Sequence, residues 1–241
     1  MTSVSGIGNL LAPGLAEGAA AMGISLFPAQ LGQLLAYLDL IQKWNKVYNL
    51  TAVRNPHDMV THHLLDSLAV IAPLRREVAA MAHHHDGSDE LQPTRPVFRL
   101  LDVGSGAGLP GIVIAICCPE VSVDCVDTVA KKAAFINQVA VALKLPNLHS
   151  IHARVENLTD KYDVISSRAF ASLPDFTAWS AGALKADGVW LAMKGQHPQM
   201  EIEALNSNGT VVKQDVKVFH VEQLTVPGLD AQRCIVWMRR A

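Results

Sequence analysis

A glycine-rich turn between two apolar segments constrains the fold of this chain more than any other feature. Residues 100–111 read LLDVGSGAGLPG, so that an apolar run ends near Asp102 and three alternating glycines lead into a second apolar run. Glycine adopts backbone angles that are closed to residues with a side chain, and it allows a ligand to approach the backbone. The pattern therefore predicts a strand, a ligand-binding loop and a helix at one edge of a parallel sheet.

The spacing of these glycines favours one class of nucleotide cofactor. Gly104, Gly106 and Gly108 form G-x-G-x-G, and Leu109 stands where a dinucleotide-binding G-x-G-x-x-G has its third glycine. That glycine allows the tight helix packing that accompanies a bound pyrophosphate, so its absence favours S-adenosylmethionine over NAD. Gly104 and Gly106 are therefore candidate cofactor contacts, and a plain turn is the alternative.

Two later segments supply further candidate contacts. Asp127 ends the second predicted strand, where an acidic residue in such a sheet hydrogen-bonds the ribose of the cofactor. A solvated acid at a strand end is the alternative. Residues 153–156, Ala-Arg-Val-Glu, follow the third predicted strand, where a loop would lie along an adenine edge. A plain turn explains this second segment equally well.

The order of the remaining patterns predicts the fold class. Runs rich in β-branched residues alternate with helical patterns from residue 97 onward, which is typical of a doubly wound parallel sheet. The predicted strands are 97–103, 121–126, 148–153, 162–167 and 188–194, and the predicted helices are 109–117, 129–144, 173–184 and 198–207. Two last strands, about 211–221 and 232–239, are too close for a crossover helix and predict an antiparallel edge hairpin. We therefore expect an α/β, Rossmann-like, mostly parallel seven-stranded sheet of the class I S-adenosylmethionine-dependent methyltransferase kind.

The first part of the chain has a different pattern. Residues 1–27 are rich in Gly, Ala and Ser and predict a loosely ordered start with some helix. After Pro28 the apolar residues fall at helical spacing, and a second helical pattern runs from Met59 to about Val78. We predict a helical extension over 28–82, a linker or surface loop over 83–96, and a cofactor-binding domain over 97–241 that forms one compact unit with the extension.

Composition limits the function classes. The 241 residues are half apolar and carry a formal charge of −2 without any run of Lys or Arg, so an RNA partner would need a local basic patch. Glycine and proline interrupt every long uncharged stretch and no secretory signal is visible, so we expect a cytoplasmic protein that does not bind membranes. The four cysteines lack zinc spacing and are predicted to be buried, and the adjacent histidines 83–85 lack fixed ligand geometry, so no metal is expected.

Several segments together resemble one family. YNLTAVRNPHDMVTHHLLDSLAV (48–70), LLDVGSGAGLPGI (100–112), ARVENL (153–158), SRAFASL (167–173) and MKG (193–195) occur in the order seen in the bacterial 16S rRNA guanine-N7 methyltransferases, also called the glucose-inhibited division protein B family. The resemblance spans about residues 28–240. It includes the segment 48–70, which lies outside the cofactor loop and separates this family from other methyltransferases.

The resemblance implies a cofactor, a substrate and a set of contacts. It implies methyl transfer from S-adenosylmethionine to N7 of one guanine in 16S rRNA, either naked or in the 30S subunit. The family positions that contact the cofactor match Gly104, Leu109, Val155, Glu156 and Arg168. One departure is His62, where the family often has an arginine before the histidine that matches His63, so any phosphate contact there would be weaker or would need a protonated His62.

The chemistry of guanine N7 predicts that no catalytic acid or base is needed. N7 carries a free lone pair and no proton, and positioning alone can lower a barrier by roughly 7–11 kcal/mol. Rival base chemistries lack their motifs, since no Asn-Pro-Pro-aromatic run occurs and Cys118-Pro119 has the reverse order of a cytosine-C5 nucleophile. A methyltransferase acting on tRNA or a small molecule, or a ribosome-assembly factor that binds the cofactor without catalysis, are the alternatives.

Contacts to RNA are less closely defined by the sequence. Because N7 lies in the deep major groove of A-form RNA, we expect the target guanine in a loop or out of its stack. The candidate phosphate contacts lie near predicted element ends and are Lys43, Lys46, Arg54, Arg168 and Lys194. For each of them a solvated surface charge is the alternative. Trp44 and Tyr48 could stack on a base, but their helical spacing is also typical of core residues.

Overall fold

The computed structural model describes residues 6–85, 98–206 and 215–241, and in them the sheet has the predicted form. Its strands are β1 (Phe98–Val103), β2 (Val121–Asp127), β3 (Leu148–His152), β4 (Tyr162–Arg168), β5 (Leu184–Lys194), β6 (Val216–Leu224) and β7 (Arg233–Arg240). Their order is β3-β2-β1-β4-β5-β7-β6. Strands β1 to β5 are parallel, and β7 is antiparallel to both β5 and β6. The predicted α/β class with an antiparallel edge hairpin is confirmed.

The central strands are apolar on both faces because helices cover both. In β1, Leu100 packs into one apolar cluster and Leu101 into the other. Helices α6 (Gly111–Cys117) and α7 (Ala130–Leu143) cover the first face, and α8 (Leu173–Ser180) and α9 (Gln199–Asn206) cover the second. Side chains alternate along a strand, so a doubly covered sheet requires this nearly continuous apolar sequence. The pattern explains why the strands were visible in the sequence.

The helical extension comprises α1 (Gly6–Ala21), α2 (Pro28–Tyr48), α3 (Pro56–Met59), a π-helical turn (Val60–Leu65), α4 (Asp66–Leu68) and α5 (Ile71–His85). The sequence predicts a loosely ordered start with some helix, whereas α1 is a continuous helix in which Leu11 and Leu15 are buried. Glycine content explains the difference, since a Cβ atom at Gly18 would lie 2.7 Å from a methyl carbon of Leu65. The small residues that read as loop in the sequence let α1 pack closely on the π-helical turn.

The extension shares its core with the sheet. Leu34 and Leu38 of α2 belong to the same apolar cluster as Phe135 of α7. The ring of Tyr37 is stacked with that of Phe135 at a centroid distance of 6.4 Å, and the Trp44 ring meets Phe135 edge-on at 5.3 Å. Trp44 is therefore a packing residue, which leaves Tyr48, 40% exposed, as the aromatic side chain of this helix that could reach a base.

Several boundaries differ from the predicted ones. The second helical pattern is interrupted by the π-helical turn and by a turn at 69–70, and helix α8 ends at Ser180, before a short 3₁₀ turn (Ala181–Ala183). Strand β5 begins at residue 184 instead of 188, because Asp187-Gly188 continues the strand through an irregular register with β4 instead of forming a turn. The predicted linker falls outside the described residues from 86 onward, as do residues 211–214 of the predicted hairpin. No helix in the described ranges is long and apolar enough to cross a membrane.

Candidate active site

The candidate site lies where the parallel strands end. Gly104 follows β1, Asp127 is the last residue of β2, Val155 follows β3, Arg168 ends β4 and Lys194 ends β5. In parallel sheets these carboxyl ends share one edge, and ligands bind in the crevice outside it. The topology alone therefore brings together segments that are far apart in the sequence.

The glycine loop adopts a backbone that only glycine accommodates without strain. Gly104, Gly106 and Gly108 have φ angles of +64°, +59° and +88°. A Cβ atom at Gly104 would lie 2.1 Å from Cδ2 of Phe170, whereas a Cβ at Gly106 would meet only a backbone oxygen at 3.9 Å. Position 104 thus needs glycine because Phe170 lies so close to it, and Gly106 leaves open space above the loop.

Asp102 anchors the loop from beneath. Its Oδ2 accepts a hydrogen bond from the Gly111 N–H at 3.0 Å, and its Oδ1 accepts one from Ser166 Oγ at 2.8 Å. The side chain is completely buried between β1, β4 and the start of α6. The pKa of Asp102 is raised from 3.8 to about 6, because the effect of burial exceeds the opposing effects of the two hydrogen bonds and of the Arg168 charge.

This raised pKa predicts a pH-dependent stability. The folded chain holds the Asp102 proton more tightly than the unfolded chain, so the stabilisation is complete below about pH 4 and is lost as the pH rises through about 6. Relative to an Asp102→Asn variant, wild type should lose about 1 kcal/mol of unfolding free energy between about pH 5 and pH 7.5. Urea unfolding at the two pH values measures this difference, and parallel curves for the two proteins would contradict it.

Two cavities open at this edge and meet at Gly104 and Ala169. The first, about 470 Å³, is lined by Asp127, Lys132, Val155, Glu156, Phe170 and Trp179, among others. The second, about 530 Å³, is lined by Gly106, Leu109, His63, Asp66, Arg168 and Arg233, among others. Ala169, between them, has a φ of +52°, which is uncommon for a residue with a side chain and frequently marks a functional segment.

The structure places every predicted cofactor contact on these walls. Asp127, Val155 and Glu156 line the first cavity, and Gly106, Leu109 and Arg168 line the second. Gly104 lines both. Their contact with a cofactor stays a prediction, but the seven residues are brought together as the prediction requires.

Asp127 has a structural role that the sequence did not reveal. Its Oδ2 accepts from the Gly106 N–H at 3.0 Å and its Oδ1 accepts from the Val129 N–H at 2.8 Å. The ammonium group of Lys132 lies 3.5 Å from Oδ2. The carboxylate therefore fixes the glycine loop to the start of α7, and its Oδ1 keeps a further lone pair for a ribose hydroxyl.

The cations of the second cavity are paired. Arg168 Nη1 donates to Asp66 Oδ2 at 2.8 Å, and Lys194 Nζ donates to Glu201 Oε2 at 2.8 Å. Arg168 and Lys194 are two of the predicted phosphate contacts. By contrast, Lys43 and Lys46 are exposed on α2, and Arg54 is exposed with one Nη2 contact of 3.3 Å to Asn49 Oδ1. The freely solvated candidates therefore belong to the extension.

Most of the chain matches one known protein family. Residues 30–227 match the GidB family, described as rRNA small subunit methyltransferase G. The ribosomal RNA small subunit methyltransferases G of Acidovorax sp. (strain JS42) and Paracidovorax citrulli (strain AAC00-1) are 64% and 60% identical to this chain. The first alignment covers 93% of each chain, and the second covers 96% of this chain and 90% of the relative. The chain belongs to this family.

Solved structures confirm the fold of this family member. The magnesium protoporphyrin IX methyltransferase of Synechocystis PCC 6803, solved with bound S-adenosylmethionine, aligns with a TM-score of 0.56 at 13% identity, over 85% of this chain and 97% of that one. The same enzyme with S-adenosylhomocysteine gives a TM-score of 0.56 over 85% and 100% of the two chains. The predicted family, the methyltransferase class and the sheet architecture are confirmed.

Tyr37 is a site residue that the sequence analysis missed. It lies in α2, is completely buried, and its hydroxyl donates to the carbonyl oxygen of Ala107 at 2.6 Å. The extension of this GidB-family chain thus holds the cofactor loop directly. Tyr37 falls on the buried side of α2, and nothing in the sequence indicates that its hydroxyl meets the loop.

Replacing Tyr37 with phenylalanine should loosen the loop. The change leaves the buried Ala107 carbonyl without its donor, so we expect a loss of about 1–2 kcal/mol in unfolding free energy and weaker cofactor binding. Tyr162→Phe is the matched control, because the Tyr162 hydroxyl donates to Asp124 Oδ2 at 2.7 Å away from the loop. Calorimetric titration should show weaker S-adenosylmethionine binding for Tyr37→Phe alone, and equal binding in both variants would contradict the coupling.

Proposed function

We propose that this chain transfers a methyl group from S-adenosylmethionine to N7 of one guanine in 16S rRNA. The observation that carries the proposal is the pair of cavities that meet at Gly104, one on each side of the glycine loop. One cavity suits a nucleoside and the other is open to a second reactant. The family description, rRNA small subunit methyltransferase G, supports an RNA of the small ribosomal subunit as that reactant.

The residues present fit S-adenosylmethionine. The open space above Gly106 is space that a side chain would fill, and it leaves the loop backbone accessible to a ligand. The carboxylate of Asp127 lies at the first cavity, where a ribose diol would need an acceptor, and Val155 and Glu156 border the same space. Leu109 and Arg168 would hold the other end of the cofactor from the second cavity. When bound, S-adenosylmethionine supplies a methyl group on a positively charged sulfur.

The second cavity supports transfer without a general base. Asp66 is buried and accepts from two arginines, so it does not remove a proton. Burial and, second to it, the positive charge of Arg168 lower the pKa of His63 from 6.5 to about 4, so His63 is a weak base at neutral pH. Guanine N7 has no proton to lose. These residues therefore position the reactants, and we assign none of them as a catalytic acid or base.

The proposal extends to the location of the reaction and to the state of the target guanine. We place the reaction in the cytoplasm on a guanine that is unpaired or turned out of its stack, since N7 is otherwise hidden in a deep groove. The exposed Lys43, Lys46 and Arg54 of the extension would meet RNA phosphates. The proposed substrate is 16S rRNA, either naked or in the 30S subunit.

The direct test is methyl transfer by the purified protein. We expect labelled S-adenosylmethionine to label 30S subunits or 16S rRNA, and nuclease digestion to recover the label as 7-methylguanosine. Total tRNA serves as the competing substrate. Label in tRNA alone would replace the proposed substrate, and cofactor binding without any transfer would favour an assembly factor that does not catalyse.

A further inference from the structure

The carboxylate of Asp66 lies between two arginine side chains at the wall of the second cavity. Asp66 is 3% exposed. Arg168 Nη1 donates to its Oδ2 at 2.8 Å, and Arg233 Nε donates to its Oδ1 at 2.7 Å. Arg168 ends β4, Arg233 begins β7, and Asp66 begins α4. One buried carboxylate thus joins the helical extension to two strands of the sheet.

The helix geometry around Asp66 contributes to the same cluster. The π-helical turn over 60–65 ends immediately before Asp66, whose backbone N–H donates to the carbonyls of Thr61 and His63. A π-helical turn displaces the following residues relative to a regular α-helix and is frequent at functional sites. Arg168 Nη1 also donates to the His62 carbonyl of this turn at 3.1 Å. The turn and the carboxylate together fix the Arg168 guanidinium from two directions.

The charges of this cluster do not cancel. Arg168 and Arg233 carry two positive charges and Asp66 carries one negative charge, so one positive charge is uncompensated within the three residues. The nearby Lys194 is paired with Glu201. The three side chains line the cavity next to the glycine loop. An anionic group of a ligand in this cavity would meet a positive charge whose position is set by the Asp66 carboxylate.

We propose that Asp66 is a positioning residue, which holds Arg168 and Arg233 side by side so that their single net positive charge meets the carboxylate of bound S-adenosylmethionine. The inference rests on the proposed function in taking S-adenosylmethionine as the ligand. Asp66 itself acts through the two arginines. Removing its charge should therefore weaken cofactor binding more than it weakens the fold.

The first experiment compares two buried aspartates by calorimetric titration with S-adenosylmethionine. Asp66→Asn keeps the side-chain volume but removes one partner charge, and we expect the Kd to rise about tenfold. Asp163→Asn is the matched control, because Asp163 lies at the opposite end of β4, where it accepts from Lys185 Nζ at 2.8 Å and from the Arg99 N–H at 2.9 Å. The control should lower the Tm and leave the Kd within about twofold of wild type.

A double-mutant cycle separates positioning from general destabilisation. If Asp66 acts through Arg168, the effects of Asp66→Asn and Arg168→Gln on the Kd should not multiply in the double variant. Arg233→Gln provides a test that does not depend on the folding of Asp66→Asn. It leaves Arg168 and Asp66 as a neutral pair, and we expect the Kd to rise about threefold, since the Arg233 side chain is slightly more exposed than that of Arg168.

The outcomes distinguish this inference from the proposed function. If Asp66→Asn folds and its Kd for S-adenosylmethionine is unchanged, the positioning role is overturned, even if the KM for RNA rises. If Asp66→Asn does not fold, an unchanged Kd for Arg233→Gln overturns it. Effects that multiply in the cycle would also overturn it. Failure of wild type to bind S-adenosylmethionine would overturn the proposed cofactor, and the inference with it.

Discussion

Replacing Gly104 with alanine should abolish most methyl transfer while leaving the chain folded. The added Cβ would lie 2.1 Å from Cδ2 of Phe170, so either the ring or the loop has to move. If the Phe170 ring moves, it enters the first cavity. If the loop moves, the wall that the two cavities share is displaced. A displacement of about 1 Å in a reacting pair can cost about a hundredfold in rate, and we expect a loss of this size.

The matched control is Gly228→Ala, which separates crowding from backbone strain. Gly228 also has a positive φ, +76°, but a Cβ there would meet Thr61 Oγ1 at an ordinary 3.7 Å. Both variants should carry the cost of a left-handed alanine, about 1 kcal/mol. Labelled transfer to 30S subunits and calorimetric titration with S-adenosylmethionine would measure the two variants. Similar losses in both would show that strain, and not the contact with Phe170, limits activity.

The conformation of the glycine loop could be predicted from the sequence because its requirements are local. The conformations at 104, 106 and 108 need glycine, and the acid that anchors the loop lies only nine residues before Gly111. The strands were also predictable, since a sheet covered on both faces needs continuous apolar runs. The seven predicted cofactor contacts follow strand ends, so fold topology alone brings them to one edge.

The residues that hold the site together were not predictable in the same way. Asp66 meets Arg168 across 102 positions and Arg233 across 167, and Tyr37 reaches Ala107 across 70. Each of these side chains has an ordinary interpretation in its own segment, as a helix charge or a core aromatic. Only the packing of the extension on the sheet makes them partners, and a single sequence carries no local signal of that packing.

The N-terminal helix shows a different limit. Small residues in α1 lower its apparent helical periodicity, yet Gly18 is where Leu65 packs most closely. Tertiary contact therefore stabilises a helix whose composition is typical of a loop. The same contact ties α1 to the π-helical turn that carries His62 and His63.

Cells that lack this protein should have 16S rRNA with one fewer 7-methylguanosine. The prediction follows from two residues of the second cavity, Asp66, which is paired with two arginines, and His63, whose pKa is lowered, because neither is suited to take a proton and a ring nitrogen without a proton needs no base. Reduction of rRNA followed by aniline cleaves at 7-methylguanosine, so the site would appear as a strand break in wild type. We expect that break to disappear completely in the deletion strain.

Complementation then separates catalysis from binding. The Gly228→Ala variant should restore the break, whereas Gly104→Ala should not, although we expect both variants to fold. An assembly factor would behave differently, because its effect on modification would be indirect. The extent of modification would then depend on whether the protein is present and not on whether its glycine loop is intact. Full restoration of the break by Gly104→Ala would therefore show that the reaction does not depend on the glycine loop. An unchanged break in the deletion strain would show that another enzyme forms the 7-methylguanosine.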